Sequence, residues 1–318
     1  MKNDLAILAV RRLRNLGVIV ASLLAALLLC EGVLRLFFPQ PIGPVQFVVD
    51  SNLGLLPVPN QRGARTLPGV YSYTYSNNSI GLRGPEVGAK TRPRILVLGD
   101  SFTYGIGVND DETFCSLLQQ KLPSYEIINA GNGGKGTDYE LKFYRTVGRG
   151  LQPDLVLTVF FENDFTENQA EIYYTRDLTA KKLEIRKPAF TNLSLYHWLA
   201  EHSHLVNLVK STLVSKMSDG RSAGEPRDDE LTELYLSALK SEAPKLQAFY
   251  LPPSTRLNGS PEEQAFQKIC AHLGIQPHVL RFGVDDYFAE GHWRPSGHRK
   301  AADLIYSVIV NSNLQGLG

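Results

Sequence analysis

An uncharged apolar run extends from Leu16 to Cys30. After Glu31, apolar character resumes through Gly32, Val33 and Leu34, then Arg35, then Leu36, Phe37 and Phe38 to Pro39. The stretch 16–38 is long enough to span a bilayer as one helix. At about 1.5 Å per residue, Glu31 falls roughly 22 Å along it. That is the last third of an apolar core about 30 Å thick. Arg35, one turn on, is placed to pair with Glu31 and to reach the far interface. Lys2, Arg11, Arg12 and Arg14 precede the run, and no Lys or Arg occurs from Leu36 to Gln61. The positive-inside rule then sets residues 1–15 in the cytoplasm and the chain after 40 outside it. A cleaved signal peptide would need small residues before the cut. The segment ending Leu27-Leu28-Leu29-Cys30-Glu31 lacks them and only faintly matches a lipobox. The expectation is an uncleaved, single-pass signal anchor in the inner membrane, with the remaining chain periplasmic or extracellular.

Residues 39–93 are rich in Pro and Gly and read as a tether with irregular packing. One alternating strand lies within them, Val70–Ser76. From residue 94 strands alternate with helices. Strands are expected at Ile95–Leu98, Glu126–Asn129, Leu155–Phe161, Leu246–Leu251 and Val279–Phe282. Helices are expected at Asp110–Leu122, Thr137–Val147, Leu195–Lys216, Asp229–Lys240 and Pro261–Leu273, with a last one from Pro295. This alternation predicts an α/β domain over 94–318 with a central parallel sheet and an insertion near 165–230. The stripe Leu195, Leu199, Val206, Val209 and Leu213 reads as core-facing, with a lid over the site as the alternative. Ser218–Arg227 reads as a loop.

Composition narrows the function. The chain has 318 residues, 43% hydrophobic and 20% charged, which supports a packed core and excludes general disorder. Its 33 basic and 32 acidic residues leave a net charge of +1, so no global field attracts nucleic acid. Cys30, Cys115 and Cys270 cannot close a disulfide framework, and no His, Asp or Glu cluster has ligand spacing. No metal or cofactor is expected. Cys115 and Cys270 read as small buried hydrophobes.

Three motifs compete for the chemistry. Gly131-Asn132-Gly133-Gly134-Lys135-Gly136 fits a dinucleotide fingerprint between strand and helix. It follows the second strand, however, and no acid stands about 20 residues further at a strand end. Gly220-Arg221-Ser222-Ala223-Gly224 has the letters of a nucleophile elbow without a preceding strand. The third is a set of four pieces at strand ends and in a late loop. These are Gly99-Asp100-Ser101, Asn129-Ala130-Gly131-Asn132-Gly133-Gly134, Glu162-Asn163-Asp164 and Glu290-Gly291-His292. A serine hydroxyl needs a base, a histidine supplies one, an acid fixes its tautomer, and N–H donors stabilise the oxyanion.

These pieces resemble the four blocks of the SGNH/GDSL hydrolases over about residues 78–310. Asn78-Ser79-Ile80-Gly81-Leu82-Arg83-Gly84 is similar to the lead-in of membrane-anchored bacterial members. The resemblance implies a flavodoxin-like three-layer α/β/α fold and hydrolysis or transfer of acyl esters. By it, Ser101 is the nucleophile and an oxyanion donor, Gly134 and Asn163 are further donors, and His292 is the base. Two positions depart from the pattern: Glu162 precedes Asn163 where Gly is usual, and Ala289 stands where the Asp three before His is usual. Glu290, two before His292, is the expected orienter and Asp286 the fallback, with Asp100 in support. Ser101 could also serve as a helix cap. Trp293 reads as packing and His298 as a helix-start residue. The expected substrate is an acylated, foremost acetylated, envelope glycan or another ester, and a transferase would need a membrane protein to deliver acyl groups. The rival readings are a non-catalytic envelope assembly or binding protein and a dinucleotide enzyme.

Overall fold

The computed structural model describes residues 2–42, 47–183, 193–218 and 227–312. Helix α1 (Lys2–Phe37) leads the chain. Its segment Arg11–Phe37 is long and apolar enough to cross a membrane by length and composition. Two antiparallel hairpins follow, β1 (Phe47–Asp50) with β2 (Gly54–Pro57), and β3 (Arg62–Leu67) with β4 (Tyr71–Ser76). The stretch read as a tether with one strand therefore holds four. Only β4 has a long apolar–polar alternation, which is why the other three escape a pattern reading.

The α/β unit then runs β5 (Arg94–Gly99), α2 (Ser101–Tyr104), α3 (Phe114–Lys121), β6 (Glu126–Gly131), α4 (Thr137–Thr146), β7 (Leu155–Phe161) and α5 (Asp164–Gln169). After α6 (Ser194–His202) and α7 (His204–Ser218) come α8 (Asp229–Glu242), β8 (Leu246–Leu251), α9 (Pro261–His272), β9 (Pro277–Val279) and α10 (Pro295–Asn311). The sheet order is β6-β5-β7-β8-β9, and every pairing is parallel. This is the flavodoxin-like order, whose reversal beside β5 opens a crevice at the carboxyl ends of the strands.

Period-two alternation decides the layers. Ile95, Val97, Leu155, Leu157 and Val159 face α3 and α10 through Phe114, Leu118, Ile305 and Ile309. Leu96, Leu98, Ile128 and Val156 face α4 and α8 through Tyr139, Phe143, Tyr235 and Leu239. Cys115 and Cys270 are buried free thiols and Cys30 is exposed.

Three elements differ from the sequence reading. The helix expected at 110–122 is a short 3-10 turn, Asp110–Glu112, then α3, because Thr113 breaks it and caps Ser116 N through its hydroxyl. The last strand pairs at Pro277–Val279, two residues early, and Leu280 and Phe282 turn into the core instead. The expected helix Leu195–Lys216 is two helices, since the Ser203 hydroxyl accepts from Val206 N and starts α7 afresh. Its stripe divides: Leu195, Val209 and Leu213 are exposed, while Leu199 and Val206 are half-buried. Helix α7 packs on α1 and on α6. The motif 220–224 and nearly all of the expected loop Ser218–Arg227 lie outside the described residues.

Arg83 joins the hairpins to the α/β unit. Its buried guanidinium donates to the carbonyls of Thr74, Tyr104, Gly105 and Val108 and pairs with Asp110 at 2.8 Å. Replacing it leaves several inward carbonyls unsatisfied. Arg83→Met is expected to lower stability by about 3 kcal/mol. The check is a lower urea midpoint for the full chain in detergent, with unchanged slope.

Candidate active site

Ser101 is the first residue after the β5–α2 turn, at the carboxyl edge of the sheet. Asp100, not Ser101, caps α2: its carboxylate accepts from Phe102 N at 2.9 Å. His292 Nε2 lies 2.8 Å from Ser101 Oγ, and His292 Nδ1 lies 2.7 Å from Glu290 Oε2. An ionised carboxylate only accepts, so Nδ1 carries the proton and Nε2 accepts from the serine hydroxyl. The same Glu290 oxygen also accepts from His292 N at 2.9 Å.

A glutamate only two residues away reaches both groups because the chain folds back between them. Gly291 takes φ 106°, a conformation L side chains rarely adopt. Phe288 N donates to His292 O at 2.7 Å and Gly291 N to Phe288 O at 3.0 Å, closing the turn. Burial pushes Glu290 up, but its bonds to His292 and the charges of His292 and Arg65 outweigh this and hold it below its ordinary value.

Asp286 has a different place. Its buried carboxylate accepts from Lys300 Nζ at 2.6 Å and Gly283 N at 2.9 Å, and Lys300 helps hold its pKa below the ordinary value against the opposing effect of burial. It staples the 283–294 loop to α10 rather than orienting the imidazole. Trp293 is fully buried against Phe102, Phe114 and Phe282. His298 Nδ1 accepts from Phe114 N at 3.2 Å, and burial drives this histidine down to about 3. Both are packing residues.

The second and third blocks reach the same edge. Gly131 meets the nucleophile turn so closely that a β-carbon there would lie 2.1 Å from Tyr104 N. A β-carbon at Gly133 would touch the Ser101 β-carbon at 3.5 Å, and Gly134 next to it borders open space. Asn129, which opens the second block, donates from Nδ2 to Thr103 O at 2.8 Å and steadies the turn from β6. Phe161 packs on Phe102 with ring centroids 4.9 Å apart. Asn163, two residues later, donates from Nδ2 to Glu167 Oε1 at 3.0 Å. The departure at Glu162 is met by Arg256, 3.3 Å away. The β3–β4 hairpin approaches too: Tyr71 packs edge-on against Phe288 at 5.5 Å.

Beneath the edge Asp100, expected above in a supporting place, and Asp164 of the third block join three acids that no motif marks, Asp138, Glu140 and Glu167. The first four are 2% exposed or less. Burial raises Asp100 to about 6, Asp138 to about 7, and Glu140 and Glu167 to about 8. Asp164 is raised well above the ordinary range by burial and by its acidic neighbours. Glu140 accepts from Thr158 Oγ1 at 2.5 Å.

No family model matches the chain. No curated protein matches it either. Solved structures similar to it include TesA, at 14% identity and TM-score 0.41, covering 68% of this chain and 97% of that one. The lipase/acylhydrolase from Enterococcus faecalis is 16% identical with TM-score 0.42, covering 69% of this chain and 96% of that one. A two-domain esterase active on acetylated mannans is 13% identical with TM-score 0.42, covering 69% of this chain and 49% of that one. Likeness of this depth assigns no activity.

The cluster sets a pH dependence of stability. The folded acids keep protons that the unfolded chain has released above about pH 5, so folding binds protons and stability falls as pH rises towards 8. Tm is expected to drop between pH 6.5 and 9, and Glu140→Gln to flatten that slope. Scanning calorimetry across the range checks both.

Proposed function

We propose that the chain is a serine-dependent ester hydrolase or O-acyltransferase of the SGNH/GDSL type, held to a membrane by α1. The observation carrying this reading is the continuous relay from Glu290 through His292 to Ser101. Ser101 Oγ attacks the ester carbonyl as its proton passes to His292 Nε2. The N–H groups of Ser101 and Gly134 and the Asn163 amide receive the oxyanion. His292 returns the proton to the leaving alcohol, leaving an acyl-serine. Water or a sugar hydroxyl then gives its proton to His292 and takes the acyl group, and His292 passes that proton to the departing Ser101 Oγ, which restores the free serine. Glu290 holds the tautomer and stabilises the imidazolium.

An acetylated envelope glycan suits this reading, because the basic residues before α1's apolar run favour a site outside the cytoplasm. The glycine-rich turn has a packing role in this fold. A β-carbon at Gly131 would meet Tyr104, and one at Gly136 would lie 2.7 Å from Asn168 Oδ1, so both glycines serve close packing.

The test is acetate release from p-nitrophenyl acetate by the full chain in detergent. Ser101→Ala and His292→Ala are each expected to remove nearly all enzymatic turnover. Glu290→Gln should cost about 10²–10⁴ in kcat, and Asn163→Ala about 10²–10³. Asp286→Asn should lower stability while leaving the pH profile in place. Equal turnover in wild type and Ser101→Ala would overturn the reading and favour a binding protein. Acetyl groups appearing on an added glycan would identify the transferase.

A further inference from the structure

The carboxylate of Glu31, on α1, is claimed by the corner between α6 and α7. Oε1 accepts from His204 N at 3.0 Å, and Oε2 from Ser203 Oγ at 2.8 Å and Leu205 N at 2.9 Å. Arg35 Nε adds 2.8 Å to Oε1, and the Arg35 guanidinium also donates to His202 O. Gln40 N donates to His204 Nδ1 at 2.7 Å. The corner at 202–205 is thus fixed to α1 between Glu31 and Gln40.

The position of Glu31 along α1 sets the depth of that corner. With apolar character starting at Leu16, the carboxylate lies roughly 22 Å into a helix whose hydrocarbon layer is about 30 Å thick. A carboxylate there is costly unless every lone pair is met. The α6–α7 corner meets it, so the corner itself sits below the far interface. The helices leaving it carry apolar side chains outward. Leu193, Leu195 and Trp198 are 57%, 64% and 56% exposed, and Val209 and Leu213 are 51% and 56%. On α1, Leu24, Leu28 and Leu29 are equally bare at 56%, 73% and 70%. His202 stacks on Trp198 with ring centroids 5.0 Å apart and sets a polar ring beside the apolar side chains, as at a membrane interface.

We infer that the α6–α7 pair is a second membrane element, seated in the far leaflet beside α1 and contacting lipid through Leu193, Leu195, Trp198, Val209 and Leu213. It rests on the reading of α1 as an anchor. The Glu31 clasp then fixes the height and tilt of the α/β unit over the bilayer, which a single flexible tether would not do.

Site-directed spin labels on the full chain in lipid nanodiscs test this, in a Cys30→Ser background since Cys115 and Cys270 are buried. Labels at Leu195, Val209 and Leu213 are expected to collide readily with oxygen and poorly with a water-soluble nickel chelate, as a label at Leu24 does. A label at Lys268, exposed on α9, should show the reverse. Water-like values at all three α6–α7 sites, with Leu24 lipid-like, would overturn the inference and leave the anchor standing. Shielding from both reagents would also overturn it, since protein then covers the face. A water-like Leu24 would overturn the anchor itself. Trp emission gives a label-free reading, because Trp293 is fully buried. Brominated acyl chains should quench the wild type, and Trp198→Phe should lose the quenchable fraction. Quenching unchanged by Trp198→Phe would contradict the placement.

Discussion

The candidate site depends on one close approach. The chain at the end of β6 runs against the turn that carries Ser101, and a β-carbon at Gly131 would sit 2.1 Å from the Tyr104 nitrogen. Only glycine lets β5 and β6 deliver their loops to one point. The neighbouring contacts follow from that. Asn129 holds Thr103 from the same strand end, Phe161 closes on Phe102 from β7, and Trp293 packs on Phe102 from the loop bearing His292. The serine is held on three sides by the interlocked ends of a parallel sheet. Such rigidity is what places a nucleophile within hydrogen-bond reach of its base before substrate arrives.

Two sets of carboxyls serve this arrangement in opposite states. Glu290 is drawn down by the imidazole it holds and stays ionised. The acids beneath the sheet edge are pushed up by burial and by one another, so that Glu140 and Glu167 keep their protons to about 8. A neutral Glu167 beside Asn163 leaves the donor end of the candidate oxyanion hole without a fixed negative charge. Asp286, further back in the same loop, is bound to Lys300 and secures the loop instead. Environment rather than spacing separates these roles.

Much of this was legible in the sequence, for physical reasons. Leu155–Phe161 and Leu246–Leu251 are near-continuous apolar runs, as central parallel strands must be, and their ends coincide with the structure. Ser101, His292 and Glu290 stand out in the sequence through the blocks they share with the SGNH/GDSL pattern, and the fold brings the three side chains into contact. The hairpins β1–β2 and β3–β4 were largely illegible, since short, half-exposed strands carry little pattern. The acid cluster carries no sequence signal, because nothing in the spacing of Asp138, Glu140 and Glu167 along α4 and α5 marks them as buried. Only the tertiary fold turns them inward. The α6–α7 stripe was legible as apolar but not as outward-facing, because hydrophobic spacing does not say whether protein or lipid lies opposite.

The central claim is that the folded chain activates Ser101 through His292. Its most direct measurement is intact-mass and peptide mapping of the full chain in detergent after exposure to a fluorophosphonate. The account predicts a single adduct on Ser101, absent in His292→Ala and formed more slowly in Glu290→Gln. No adduct on the folded protein, or one that survives Ser101→Ala, would contradict it.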